Sequence, residues 1–417
     1  MDYQKTTLPN GARLLTRAVP GARSAALGFF VGVGSRHEAA EENGSAHFIE
    51  HMLFKGTQTR SAAQLARDMD ALGGQFNAYT TKEHTCFYAR VLDKHLDQGM
   101  DILSDMLFHS RFDQGDVELE RGVILEEIGM YEDTPEDLTA ERLSAAVYKG
   151  SPLARPILGT QATLAGMTGE SLQQWQREHY RPGALVVSLA GSFTREQADR
   201  LAGLISGLEP GPLAQQAPAA YRPAVTSRKK AIEQNHLLLA FPALTYLDPR
   251  REQLMLLNSL LGGGCSSRLF QQVREERGLC YTVYSYVADH ADTGLLGIYA
   301  ALGKEQEELA LDTLRGVVSD LADHGPTQEE LDRVREQAKA GLLMSAESVQ
   351  SRMSSMGASE LLYGRVRTQE EILAAYDAVT REQLRQLAGE IFRWDQASLS
   401  AVGRVRPAGE YGRWLGR

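Results

Sequence analysis

At 417 residues, with 43% hydrophobic and 24% charged side chains, the chain has the composition of a globular protein long enough for two or three domains. Its formal net charge of −10 argues against a general affinity for nucleic acid or an anionic membrane surface, and no stretch approaches the run of about 20 apolar residues that spans a bilayer. Cys86, Cys265 and Cys280 are too few and too scattered for a disulfide framework or a C-x-x-C metal site, and read as small buried thiols in a reducing compartment.

The N-terminal run MDYQKTTLPNGARLLTRAVP places Pro9-Asn10-Gly11 between two alternating stretches, which predicts a β-hairpin. It lacks the build of a secretory signal or transit peptide, so a cytoplasmic location is the expectation. Ala25 to Val33 reads as a buried strand, followed by Asn43-Gly44-Ser45 as a turn and candidate cap for a short helix through His47-Phe48-Ile49-Glu50-His51. A helix is predicted from Ala62 to Leu72, then a strand or hairpin over QFNAYTTKEHTCFYARVL, with His84 and Glu83 as strand-surface residues. Helices follow over Leu96–Leu107, Asp116 to Tyr131, Leu138 to Tyr148 and Ser171 to His179, and the strand ALVVSLAG ends at Gly191.

The second half repeats the first. Thr168-Gly169-Glu170-Ser171-Leu172 returns as Thr380-Arg381-Glu382-Gln383-Leu384, Tyr180-Arg181 as Phe392-Arg393 and Gly191 as Gly403, all at an offset of 212 positions. The helix ending at Val147-Tyr148-Lys149-Gly150 has its counterpart ending at Leu362-Tyr363-Gly364. Landmarks sharing one offset indicate a duplicated domain. Residues 210–225, rich in Pro and Ala, suit an extended linker. The expected organisation is an N-terminal domain at residues 1–209, the linker, and a homologous C-terminal domain at 226–417. Each would be an α+β domain, a largely antiparallel sheet with helices packed on one face.

In helical form, His47 and His51 project from one face and can grip one zinc ion, with Glu50 placed to reach a metal-bound water. The order H-x-x-E-H is the inverted zinc-peptidase motif. A third ligand must come from elsewhere. Glu118 to Glu127 is the best stretch, and periodicity alone does not choose between Glu120, Glu126 and Glu127.

With these residues in place, the sequence resembles the pitrilysin/insulinase family of zinc metallopeptidases, in its processing-peptidase branch, over essentially the whole chain. In that family the third ligand follows the second histidine by 76 residues, which is Glu127 here, and a supporting glutamate precedes it by seven, which is Glu120. The resemblance thus implies one Zn2+ per chain on His47, His51 and Glu127, with Glu50 as general base. It also implies Arg274 and Tyr281, seven apart in VREERGLCYTVYSY, as residues that bind substrate and stabilise the reacting carbonyl. The strand Phe76-Asn77-Ala78 would bind the substrate as an added strand, and Asp137 and Glu141 would read a basic residue near the cleaved bond. The second copy has LLNSLLGGG and no histidine where the first has its motif, and its Gly262-Gly263-Gly264 run, with no Lys-Ser/Thr after it, is a helix-ending loop.

The expected activity is hydrolysis of peptides or unfolded segments inside a clam-shell chamber. Because family members build that chamber from two such pairs of domains, a homodimer is implied. The competing class is a non-catalytic structural or binding subunit of the same fold. Such a subunit lacks one or more of His47, Glu50, His51 and Glu127, and this chain has all four.

Overall fold

The structure, a computed structural model, describes residues 3–416. Its first sheet comprises β1 (Gln4–Thr7), β2 (Arg13–Ala18), β3 (Ser24–Val31), β4 (Gln75–Thr80), β5 (Thr85–Leu92) and β6 (Leu185–Gly191), in the order β1-β2-β6-β3-β5-β4. The second comprises β7 (Val225–Lys229), β8 (Gln234–Pro242), β9 (Cys280–Asp289), β10 (Gly294–Gly303) and β11 (Ser398–Gly403), in the order β7-β11-β8-β10-β9. Apart from the extra edge strand β1, the two orders match strand for strand. β6 runs parallel to β2 as β11 runs parallel to β7, and every other pairing is antiparallel.

The duplication extends to backbone detail. Thr168 and Thr380 each cap a helix by accepting the N–H three residues on, from Ser171 and Gln383. Gly191 and Gly403 end the corresponding strands with φ of 123° and 134°. A Cβ there would stand 2.3 Å from the Ser24 carbonyl oxygen and 2.7 Å from that of Gln234, so only glycine fits either position.

Alternation along the central strands decides what covers each sheet. On β3, Leu27, Phe29 and Val31 face the large first core, formed with helices that include Ser45–Met52, Leu96–His109 and Gly169–His179. Ala26 and Phe30 face the other way, where the helix Val349–Tyr363 lays Met353 and Met356 against them. On β8, Leu237, Leu239 and Phe241 face the second large core, while Leu238 and Ala240 meet Leu143 and Val147 of the helix Pro135–Val147. A strand buried on both faces cannot show polar alternation, which is why Ala25 to Val33 reads as one apolar run.

These two covering helices are the pair that the repeat identifies as equivalents, and each covers the sheet of the opposite half. The compact units are accordingly interleaved: one contains the chain up to Ile128, Arg155–Ala217 and Met344–Arg367, and the other Gly129–Ala154, Pro218–Leu343 and the chain from Thr368. Residues 210–224 carry no helix or strand.

Two local expectations need correcting. Glu83 is not a strand-surface residue; it is buried and meets the equally buried guanidinium of Arg36 at 2.6 Å. Of the three free cysteines only Cys86 is buried, and Cys265 is exposed because it follows the end of the helix Arg251–Gly262.

Candidate metal centre

The helix Ser45–Met52 carries the histidines, and its start is fixed from outside the helix. Gly44, at the N-cap, has φ 105° and no side chain to cap with. Glu38 supplies the acceptors instead: Oε1 takes the Ala46 N–H at 2.9 Å, and Oε2 takes the Gly44 N–H and the Asn43 amide at 2.9 Å each. A carboxylate at a helix N-terminus satisfies orphan N–H groups and suits the helix dipole. Burial pushes the Glu38 carboxyl up to about 7, against the opposing pull of these donors. The cap expected from Asn43-Gly44-Ser45 is therefore the work of a residue upstream, with Asn43 bonded to it.

One turn apart, the His47 and His51 rings stand 4.7 Å centroid to centroid. Glu127, on the helix Gln114–Asp133, points Oε2 at both: 3.7 Å from His47 Nε2 and 3.7 Å from His51 Nε2. Candidate ligand atoms of the three residues lie within 4.8 Å of one another, the one such group among the described residues. Ligand atoms about 2.1 Å from a tetrahedral zinc stand about 3.4 Å apart, so the three side chains fit the ion with little adjustment.

Protonation supports the fit. His51 Nδ1 donates to Glu120 Oε2 at 3.0 Å, which leaves the Nε2 lone pair facing Glu127. Burial, followed by the neighbouring His51, pushes His47 down to about 3, so its ring is neutral and can donate a lone pair. Seven residues before Glu127 and on the same helix, Glu120 is buried and commits its second oxygen to Lys55 Nζ at 2.5 Å. Lys55 balances the buried charge of the group that orients His51. Among the three glutamates left open by periodicity, the structure separates the roles: Glu127 faces the histidine nitrogens, Glu120 stands behind His51, and Glu126 is exposed.

Glu50 lies on the same helix, with its carboxyl raised first by burial and further by Glu127, and lowered by a hydrogen bond from Thr80. Thr80 Oγ1 donates to Glu50 Oε2 at 2.5 Å. Thr80 is the last residue of β4, an edge strand bonded to β5 alone. Along β4, Phe76 and Ala78 pack on the core, while Gln75, Asn77 and Tyr79 face outward.

Glu38, Lys55 and Thr80 escape the sequence reading. For Lys55 the available signal is its place one turn beyond His51, and for Thr80 its place at the end of the FNAYT run.

The family model for Insulinase (Peptidase family M16) matches residues 13–161, and that for the Peptidase M16 inactive domain matches residues 166–338. The chain is 42% identical over 415 residues to a Bacillus subtilis protein named "Uncharacterized zinc protease YmxG", covering 97% of this chain and 98% of that one. The chain belongs to peptidase family M16. Among other M16 relatives, a protein of Streptomyces coelicolor called a zinc protease is 39% identical over 97% of this chain and 90% of its own. One from Rickettsia felis, also called a zinc protease, is 36% identical over 94% and 95%. The M16 fold is equally plain in solved structures. A "peptidase M16 inactive domain" from Pseudomonas fluorescens superimposes with a TM-score of 0.91 at 22% identity, covering 98% of this chain and 99% of its own. A Helicobacter pylori protease gives 0.90 at 19% identity, covering 96% and 99%.

The remaining residues expected to act in an M16 site lie in the second unit. Arg274 belongs to a short π-helical turn, Phe270–Glu275, and its guanidinium stacks 4.6 Å over Phe270 and 4.4 Å over Tyr281. Tyr281 is 75% exposed on β9, the edge strand equivalent to β4. Asp137 and Glu141 are half-buried on the helix Pro135–Val147, and Asp137 is raised by burial and by the adjacent Glu136.

Proposed function

We propose that this M16 protein is a zinc-dependent endopeptidase. The observation that carries this reading is the convergence of His47 Nε2, His51 Nε2 and Glu127 Oε2 at spacings that suit one tetrahedral ion, with His51 oriented by Glu120. Zinc held by these three groups would polarise the scissile carbonyl and acidify a bound water. Glu50, on the same helix face but outside the ligand set, would take the proton of that water and return it to the leaving amine. Thr80 holds one Glu50 oxygen and leaves the other free for this work. The open edge of β4 supports binding of the substrate as an added strand.

The reading extends to a homodimeric clam-shell in which Arg274 and Tyr281 of one subunit serve the zinc site of the other. Tyr281 is exposed and braced by Arg274, which suits a donor reaching toward a developing oxyanion. Asp137 and Glu141, one turn apart, would favour substrates with a basic residue near the scissile bond.

The deciding experiment compares wild type with Glu50→Gln on a peptide library, with zinc measured in both. Zinc near one per chain in both proteins and cleavage by the wild type alone is expected. Cleavage by Glu50→Gln would overturn the mechanism, and an inactive, zinc-free wild type would favour the non-catalytic binding subunit.

A further inference from the structure

The second unit has no metal ligands equivalent to His47 and His51, yet it concentrates positive charge at one end of its sheet. β10 and β11 both run antiparallel to β8, and β7 runs parallel to β11, so β7, β10 and β11 all finish at the same end. Basic residues stand at or just beyond each finish: Lys229 ending β7 and Lys230 after it, Lys304 after β10, and Arg404 and Arg406 after β11. The Lys230 N–H bonds the Gly403 carbonyl at 2.9 Å, which ties two of these ends together. The five cations line a single cavity of about 540 Å³, with Ala231, Gly403 and Val405 completing the lining.

Two of the cations are already engaged. Lys230 meets Asp133 at 3.0 Å, and Arg406 reaches Glu307 and Glu308 at 3.2 Å each. Lys229, Lys304 and Arg404 have no carboxylate partner among the described residues. In a chain of net charge −10, three uncompensated cations facing one cavity are a local repulsion that a bound anion relieves. The volume lies within the range of about 300–1,000 Å³ usual for small-ligand sites. No aromatic ring lines it, so nothing is present to stack on a nucleobase, and the lysine and arginine head groups are what it offers an anion. A guanidinium together with ammonium groups suits phosphate oxygens.

We propose that this cavity binds a small free polyanion of the phosphate class, such as a polyphosphate or the phosphates of a phosphorylated metabolite, through Lys229, Lys304 and Arg404. The site is independent of the zinc ligands and does not rest on the peptidase reading.

The test is calorimetric titration of the full-length protein with tripolyphosphate, with citrate, and with vesicles of phosphatidylglycerol. Saturable tripolyphosphate binding, stronger than citrate and weakened as salt rises from about 20 to about 500 mM, is expected. The variant Lys229→Glu/Lys304→Glu/Arg404→Glu should bind tripolyphosphate more than roughly 30-fold more weakly. It should keep wild-type zinc content and unfolding temperature, because all three side chains are exposed. The corresponding glutamine triple variant guards against effects of introduced charge and should also lose binding. Tripolyphosphate binding that is absent, or unchanged in both variants, would overturn the proposal. So would binding of vesicles without binding of tripolyphosphate, or citrate binding equal to it.

Discussion

The Thr80 hydroxyl donates to Glu50 Oε2 across 2.5 Å, joining the end of the exposed edge strand to the carboxylate on the histidine-bearing helix. In the proposed mechanism one strand would both receive the substrate and hold the base in position. Thr80→Val keeps the shape and removes the donor. It is expected to lower kcat roughly 10-fold with zinc content unchanged, and Thr80→Ser should restore most of the loss. Steady-state kinetics beside metal analysis checks this, and an effect on KM alone would show that Thr80 acts only in the strand.

Glu120 orients His51 and is itself balanced by Lys55. Glu120→Gln should weaken zinc affinity by roughly 10–100-fold in competition with a chelator. Lys55→Met, which leaves the orienting bond in place, should weaken it less. Equal affinities in all three proteins would mean that His51 needs no orientation.

Half-buried His37 and its neighbour, buried Glu38, give opposite pH dependences. Burial pushes His37 down to about 4 from its ordinary 6.5, so between these values the unfolded chain takes up a proton that the folded one refuses. The stability this contributes is present above pH 6.5 and is lost as pH falls from 6.5 to 4, by an amount on the order of 3 kcal/mol. Glu38 is raised from 4.5 to about 7, so its contribution is most favourable below pH 4.5 and declines as pH rises from 4.5 to 7. Urea unfolding between pH 4 and 8 should therefore show less acid loss for His37→Gln and more for Glu38→Gln than for wild type.

Mixing inactive subunits tests the proposed ownership of Tyr281. In the proposed homodimer, the Glu50→Gln and Tyr281→Phe proteins should each be impaired on their own. If Tyr281 serves the opposite subunit, mixed dimers contain one intact site, and equimolar exchange should recover roughly a quarter of wild-type activity. No recovery after verified subunit exchange would place Tyr281 in the same chain as the zinc it serves.

The part of the site legible in the sequence is the part set by position along helices. His47, Glu50 and His51 follow from one turn of helix, and Glu120 and Glu127 share a face two turns apart. Glu38, Thr80 and Arg36 were not legible, because their partners are fixed by how the chain returns in space: Glu38 to Ala46, Thr80 to Glu50, Arg36 to Glu83. The strand content and the duplication could be read from alternation and a fixed offset. The exchange of the covering helices could not, since Met353 and Leu143 have the same apolar character whichever sheet they cover.

That exchange bears on how the protein is made. All three candidate zinc ligands and Glu50 have been synthesised by residue 127, and every strand of the first sheet by Gly191. The apolar surface of Leu15, Phe30, Cys86 and Val186, however, waits for Val349, Met353 and Met356. On the ribosome the half with the candidate ligands is therefore synthesised long before its sheet can be covered, and a fragment cut at the linker would contain all of those candidates with one sheet face still bare.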